Sequence, residues 1–77
     1  MIKAIGIFRT RVDGQIVADR KTINVPQVPA PGAMFINKDG KWKVSATDFE
    51  VEEEHPMAMG GSGETYLPLI YFFKVRE

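Results

Sequence analysis

The chain has 77 residues and no cysteine, and its ten basic and ten acidic groups give a formal net charge of zero. Without cysteine it can form no disulfide and no thiolate metal site. Its zero net charge argues against a general electrostatic attraction to nucleic acid or to an anionic membrane. A chain this short forms one small domain, residues 1–77, and buries only about 60% of the surface that its unfolded chain exposes. Small domains of this kind often gain stability by self-association, so we expect a homodimer.

The first predicted strand runs from Ile2 to Val12 and is apolar on both faces in its first half. Gly6 lies within it, and a glycine inside a strand indicates a bend or a close backbone approach. Asp13-Gly14 predicts a tight turn into a second strand, Gln15–Val25. The charged cluster Asp19–Lys21 breaks the alternation there, which predicts a bulge, two shorter strands or, less favoured, a short helix.

A proline-rich segment follows, Pro26–Gly32, with three prolines. Proline removes a backbone donor and holds the chain extended. The segment is therefore interpreted as a rigid connector between two hairpins. The alternative is a polyproline ligand for a partner domain.

The clearest pattern is the hairpin in residues 33–46, where Asp39-Gly40 suits a type I′ turn with positive φ at both central residues. After the turn, polar and apolar side chains alternate with the period of a half-buried strand. Trp42 and Val44 share one parity, whereas Phe49 and Val51 share the other. Keeping all four side chains in one core requires an extra residue, and we expect a β-bulge at Thr47-Asp48.

The last third of the chain divides into an irregular part and a final strand. Three consecutive glutamates, Pro56 and a glycine-rich run predict a long mobile connection over residues 52–64. The run Leu69–Phe73 is apolar at every position, which indicates burial on both faces. Pro68, just before it, indicates an edge position or the start of a strand. Together these elements predict an all-β fold of about five antiparallel strands in a small curled sheet or half-open barrel, similar in size to OB and SH3 domains.

One part of the sequence also resembles a known kind of protein. The residues concerned are Val25-Pro26, Pro31-Gly32-Ala33-Met34-Phe35-Ile36 and Gly40-Lys41-Trp42-Lys43-Val44. This run is similar to small bacterial β proteins. Such proteins are encoded among phage accessory genes and integron cassettes, which are mobile genetic elements. The similarity covers less than half of the chain. It implies a small curved β fold that often self-associates, and it implies no activity and no functional residue.

The sequence gives little support to catalysis. His55 is the only imidazole, and it lies in the segment predicted to be mobile. Consecutive strand residues point to opposite faces, so Glu52 to His55 do not converge on one metal ion. The glycine-rich run Gly60–Thr65 lacks the lysine of a phosphate-binding loop. We therefore expect no enzyme, no metal and no cofactor.

Two groups of residues are candidates for binding. The first is basic and lies near aromatic residues: Arg9, Arg11, Lys41 and Lys43. The second is the pair Met57 and Met59, because exposed methionine is adaptable at binding surfaces. The favoured hypothesis is a non-catalytic interaction module that forms a homodimer and binds an unidentified protein partner.

The alternative hypothesis is a small-barrel protein that binds nucleic acid by stacking bases on aromatic rings beside basic side chains. Parity argues against it, because Trp42 points away from Lys41 and Lys43 and is therefore expected in the core. No secretory signal is apparent, and the longest apolar run, Tyr66 to Phe73, is too short to span a bilayer. We expect a cytoplasmic protein without membrane association.

Overall fold

A computed structural model describes residues 1–56 and 62–75 of the chain. These residues form five β-strands: β1 Ile2–Val12, β2 Gln15–Val25, β3 Met34–Asn37, β4 Gly40–Pro56 and β5 Ser62–Lys74. The strands lie in one sheet in the order β2-β1-β5-β4-β3. The predicted all-β class with five strands is confirmed, and the sheet is not closed into a barrel. No helix in the described part of the chain is long and apolar enough to cross a membrane.

The sheet is mixed rather than wholly antiparallel as predicted, since one of its four pairings is parallel. β1 pairs with β5 in the parallel direction, from Ile5 opposite Leu69 to Arg9 opposite Phe73. The pairings of β1 with β2, β3 with β4 and β4 with β5 are antiparallel. β5 therefore lies in the middle of the sheet, which explains why Leu69–Phe73 is apolar at every position.

One face of the sheet, called the core face below, carries the even-numbered side chains of β1 and β5. The rings of Phe8 and Phe72 are stacked with centroids 4.6 Å apart, and Trp42 meets Phe8 edge-to-face at 5.0 Å. Ile70 and Val44 belong to the same cluster and are 0% and 1% exposed. Trp42 is thus a core residue, as its parity predicted.

The proline-rich segment is the connector between β2 and β3, and it crosses the core face. The Thr47 hydroxyl donates to the Pro29 carbonyl at 3.1 Å, and the Gly32 amide donates to the Val44 carbonyl at 2.8 Å. Pro29 is buried. The connector therefore covers a core that a single sheet layer would leave open to water on this face.

The two hairpin turns differ. Asp13 and Gly14 have φ of 51° and 77°, so the first turn has the positive φ values of the predicted type. In the second, Asn37 pairs with Gly40, so Lys38 and Asp39 form the loop, and only Gly40 has positive φ. The predicted type I′ turn at Asp39-Gly40 is wrong. The Asn37 side-chain oxygen accepts from the Asp39 amide at 2.8 Å and stabilises the loop in another way.

Strand β2 is regular. Its register with β1 is continuous from Ile2 opposite Val25 to Val12 opposite Gln15. The expected bulge at Asp19–Lys21 is therefore wrong. Polar and apolar residues do not alternate there because nearly the whole strand is exposed on both faces. Neither face therefore has to be apolar.

A bulge does occur in β4, but two residues before the expected position. The register with β5 shifts between Val44 and Ala46, so Ser45 is the extra residue. The shift brings Thr47, Phe49 and Val51 onto the core face, as the change of parity predicted. Phe49 and Val51 are nevertheless 63% and 43% exposed, so their expected burial in the core is wrong.

Phe49 and Val51 are exposed because β4 and β5 extend beyond the other strands. β1 pairs with β5 only from Leu69 onward, and β3 pairs with β4 only as far as Lys43. Beyond the sheet, residues 49–56 and 62–68 pair only with each other, and this two-stranded ribbon is called the arm. An irregular connection was expected over residues 52–64. Residues 52–56 and 62–64 are strand instead, so the expectation is wrong at both ends, and residues 57–61 lie outside the described part.

We predict that Val44→Ala lowers the free energy of unfolding by about 2 kcal/mol, because it removes two buried methyl groups and leaves a cavity. The matched control is Val12→Ala, since Val12 is 50% exposed. The control should change stability by less than about 0.5 kcal/mol. Urea unfolding followed by tryptophan fluorescence measures both, and equal losses would contradict the assignment of the core.

Candidate nucleic-acid interface

The four predicted basic residues lie on the sheet face opposite the core face, called the open face below. Arg9 and Arg11 lie on β1, and Lys41 and Lys43 lie on β4. Arg9 is opposite Phe73 of β5, and Phe73 is opposite Lys43, so these three side chains form one row across the sheet. Residues two apart in a strand share a face, so Arg11 and Lys41 extend the same cluster.

Two aromatic residues lie between the basic ones. Tyr71 and Phe73 are on the central strand β5, point to the open face and are half-buried. The sequence hypothesis omitted both residues. Parity within the apolar run Leu69–Phe73 could have identified them, because alternate members must point away from the core.

Arg9 lies against both rings. Its guanidinium carbon is 5.4 Å from the Tyr71 centroid and 5.5 Å from the Phe73 centroid. It also donates to the Ser45 hydroxyl, which in turn donates to the Tyr71 carbonyl at 3.3 Å. The bulge makes Ser45 available for this contact, because it points the extra residue of β4 towards the open face.

The Arg9 Nε atom is buried and has no hydrogen-bond partner among the described residues. A buried N–H without a partner costs free energy, so the guanidinium is incompletely satisfied within the chain.

The remaining cations of this cluster are exposed. Within residues 1–56 and 62–75, Arg11, Lys41 and Lys43 form no ion pair. Arg11 and Lys41 also line an open cleft of about 600 Å³ at the end of β5, together with Phe73. We call Arg9, Arg11, Lys41, Lys43, Tyr71 and Phe73 the basic-aromatic cluster.

The other half of the open face carries two ion pairs between strands. Lys3 pairs with Glu52 at 3.1 Å, and Arg20 of β2 pairs with Glu50 of β4. The Arg20 pair reaches across β1 and β5, and Ile5 on this half of the open face is only 8% exposed. The uncompensated positive charge of this face is thus concentrated at the basic-aromatic cluster.

The second predicted pair, Met57 and Met59, lies outside the described residues. No group of three or more His, Asp or Glu side chains suited to a metal ion occurs in the part of the chain that the structure describes. The chain matches no family model, no curated protein and no solved structure. The interpretation of its function therefore depends on its own geometry.

A further exposed aromatic residue lies on the arm. Tyr66 is 53% exposed, and its hydroxyl donates to the Glu64 carboxylate. This hydrogen bond, and then the negative charge of Glu64, raise the pKa of the Tyr66 phenol above its ordinary value.

We predict that Glu64→Gln lowers the pKa of Tyr66, since the substitution removes the charge that opposes ionisation. An ultraviolet absorbance titration in a Tyr71→Phe background isolates this phenol. Glu53→Gln is the control, because Glu53 lies opposite Thr65 rather than beside the phenol, and it should leave the titration unchanged. An unchanged midpoint in the Glu64 variant would contradict the contact.

The two roles of Arg9, packing and charge, predict different results for two substitutions. Arg9→Ala removes the stem that packs on Tyr71 and Phe73 and should lower the free energy of unfolding by about 1–2 kcal/mol. Arg9→Met keeps an apolar stem and removes the unpartnered Nε, so it should cost less than about 1 kcal/mol. Urea unfolding distinguishes the two, and a larger loss for Met than for Ala would contradict the packing role.

Proposed function

We propose that this protein is a non-catalytic interaction module whose open face binds single-stranded nucleic acid through the basic-aromatic cluster. The observation that carries the proposal is the placement of Tyr71 and Phe73 between cations that have no acidic partner among the described residues. Proteins that bind single strands combine a basic surface for the phosphates with aromatic rings on which bases stack.

Two features of the sequence opposed nucleic-acid binding: the orientation of Trp42 and the zero net charge. Trp42 does lie on the core face, away from Lys41 and Lys43. Tyr71 and Phe73 supply the aromatic surface instead, on the same face as the cations. Zero net charge is no obstacle either, because the positive charge is local and the arm holds much of the compensating negative charge.

The geometry favours a single strand over a duplex. The rings of Tyr71 and Phe73 are half-buried in a sheet surface, and a base must leave its own stack to reach them. Flanking cations on β1 and β4 then lie on both sides of the stacked bases, where a phosphate backbone can be neutralised. The predicted homodimer and the cytoplasmic location stay predictions.

We predict that Lys43→Ala weakens binding of a fluorescein-labelled mixed-sequence oligonucleotide and reduces the slope of log affinity against log salt by about 0.7, the value for one lost contact to single-stranded phosphate. Lys3→Ala is the matched control, since it removes the same charge from the same face but from a residue paired with Glu52. Fluorescence anisotropy across a salt series measures both variants.

A second substitution tests the aromatic contribution. Phe73→Leu keeps an apolar side chain in the sheet but removes the stacking surface, which is worth about 1–3 kcal/mol per base. Affinity should therefore fall by about 5- to 150-fold while the slope against salt is unchanged. Absence of binding at the lowest salt, or equal effects of Lys3→Ala and Lys43→Ala, would overturn the proposal.

A further inference from the structure

The two edges of the sheet are very different. The β3 edge is only four residues long, whereas the β2 edge is formed by a regular strand of 11 residues. Strand β2 contains no proline, and its pairing with β1 contains no bulge. A long, regular edge of this kind is a template for pairing with another strand unless something blocks it.

The orientation of the backbone groups on this edge follows from the first turn. Val12 and Gln15 close a two-residue loop, and the residues that close such a loop form a hydrogen-bonded pair. Odd-numbered residues of β2 therefore bond to β1. Even-numbered ones, from Ile16 to Asn24, point their N–H and C=O groups outward.

The side chains of β2 are self-complementary about Arg20. If two copies pair antiparallel with Arg20 opposite itself, Asp19 of each copy lies opposite Lys21 of the other, and Val17 lies opposite Ile23. The flanking pairs are Ala18 with Thr22, Ile16 with Asn24 and Gln15 with Val25. Opposite charges and apolar side chains are thus matched across the pairing, which stabilises neighbouring strands. The one pair of like charges is Arg20 with Arg20, and each of these guanidinium groups is already paired with Glu50 of its own chain.

Neighbouring registers lack this property. A shift that keeps the faces matched loses both Asp19–Lys21 pairs. It also places Asp19 opposite Asp19 or Lys21 opposite Lys21, and like charges directly opposite each other are unfavourable. The charged cluster in the middle of β2 therefore opposes pairing with an unrelated strand and favours one register with its own copy. Ile16 and Val17, which are 55% and 54% exposed, would lose exposed surface in that register.

We propose that the outer edge of β2 is a self-association surface, on which two copies of this chain join their sheets by antiparallel β2–β2 pairing centred on Arg20. The surface is separate from the basic-aromatic cluster, so this inference does not depend on nucleic-acid binding. Backbone hydrogen bonds provide the attraction, and the Asp19 and Lys21 pairs fix the register.

The experiment uses single cysteines, because the chain has none of its own. In the proposed register the two Arg20 positions face each other with Cα atoms about 5.5 Å apart, within the range of a disulfide. Arg20→Cys should therefore form a covalent dimer under mild oxidation. Ala18→Cys lies on the same exposed face but about 13 Å along the strand from its own copy, and it should not cross-link.

A second measurement uses the uncross-linked chain. Light scattering across a concentration series should reach twice the monomer mass of 8.6 kDa. Ala18→Pro removes an outward donor without touching the bonds to β1 and should hold the protein as a monomer, whereas Ala18→Ser should still dimerise. Asp19→Lys should weaken the dimer, and the double variant Asp19→Lys with Lys21→Asp should restore it.

The existence of the dimer and its register are each tested by a different outcome. A monomer mass at every concentration, or equal cross-linking of Arg20→Cys and Ala18→Cys, would overturn the proposal. Failure of the double charge exchange to restore the dimer would overturn the register. Circular dichroism of each variant shows that the monomer is folded, so that loss of the dimer is not mistaken for loss of the sheet.

Discussion

The parallel register between β1 and β5 is the constraint on which the rest of the structure depends. It places Phe8 opposite Phe72 and, one residue later, Arg9 opposite Phe73. The first pair stacks in the core, and the second lies on the open face. A slip of β1 by one residue would turn its odd-numbered side chains to the core face, which would bury the Arg9 guanidinium and expose the Phe8 ring. The core and the candidate interface are thus fixed by one pairing.

The charge distribution follows from the same arrangement. Glutamates of β4 neutralise the basic side chains that lie near the arm, as Lys3 and Glu52 illustrate. At the opposite end of the sheet, Arg11 and Lys41 form no ion pair within the described residues. Asp39 lines the same cleft, and its carboxylate lies 3.8 Å from the Lys21 amine. The surface therefore keeps a local positive field although the chain as a whole is neutral.

Local patterns in the sequence were enough to predict most of the strands. Alternation, the Asp13-Gly14 turn and the connector after Val25 are short-range signals, and each was confirmed. The change of parity in β4 correctly indicated a bulge, but the position of the extra residue depends on pairing with β5 and was misplaced.

The features that could not be predicted are non-local. No short-range pattern specifies that β1 and β5 run parallel, because the two strands are far apart in the sequence and become neighbours only when the sheet is complete. Exposure of Phe49 and Val51 was missed for the same reason, since it depends on where neighbouring strands end. Half of the candidate site was predicted, namely its cations. The rings of Tyr71 and Phe73 were not predicted, because the apolar run Leu69–Phe73 was interpreted only as part of the core.

The arm has a consequence for how the molecule opens. In backbone pairing its strands contact only each other, and a two-stranded ribbon is marginally stable in water. Three of its apolar side chains are already largely in contact with solvent, since Phe49, Val51 and Tyr66 are 63%, 43% and 53% exposed. The amides of the described arm residues should therefore exchange with solvent deuterium through local separation of the two strands, whereas amides around Ile70 and Phe72 should exchange only when the whole sheet unfolds.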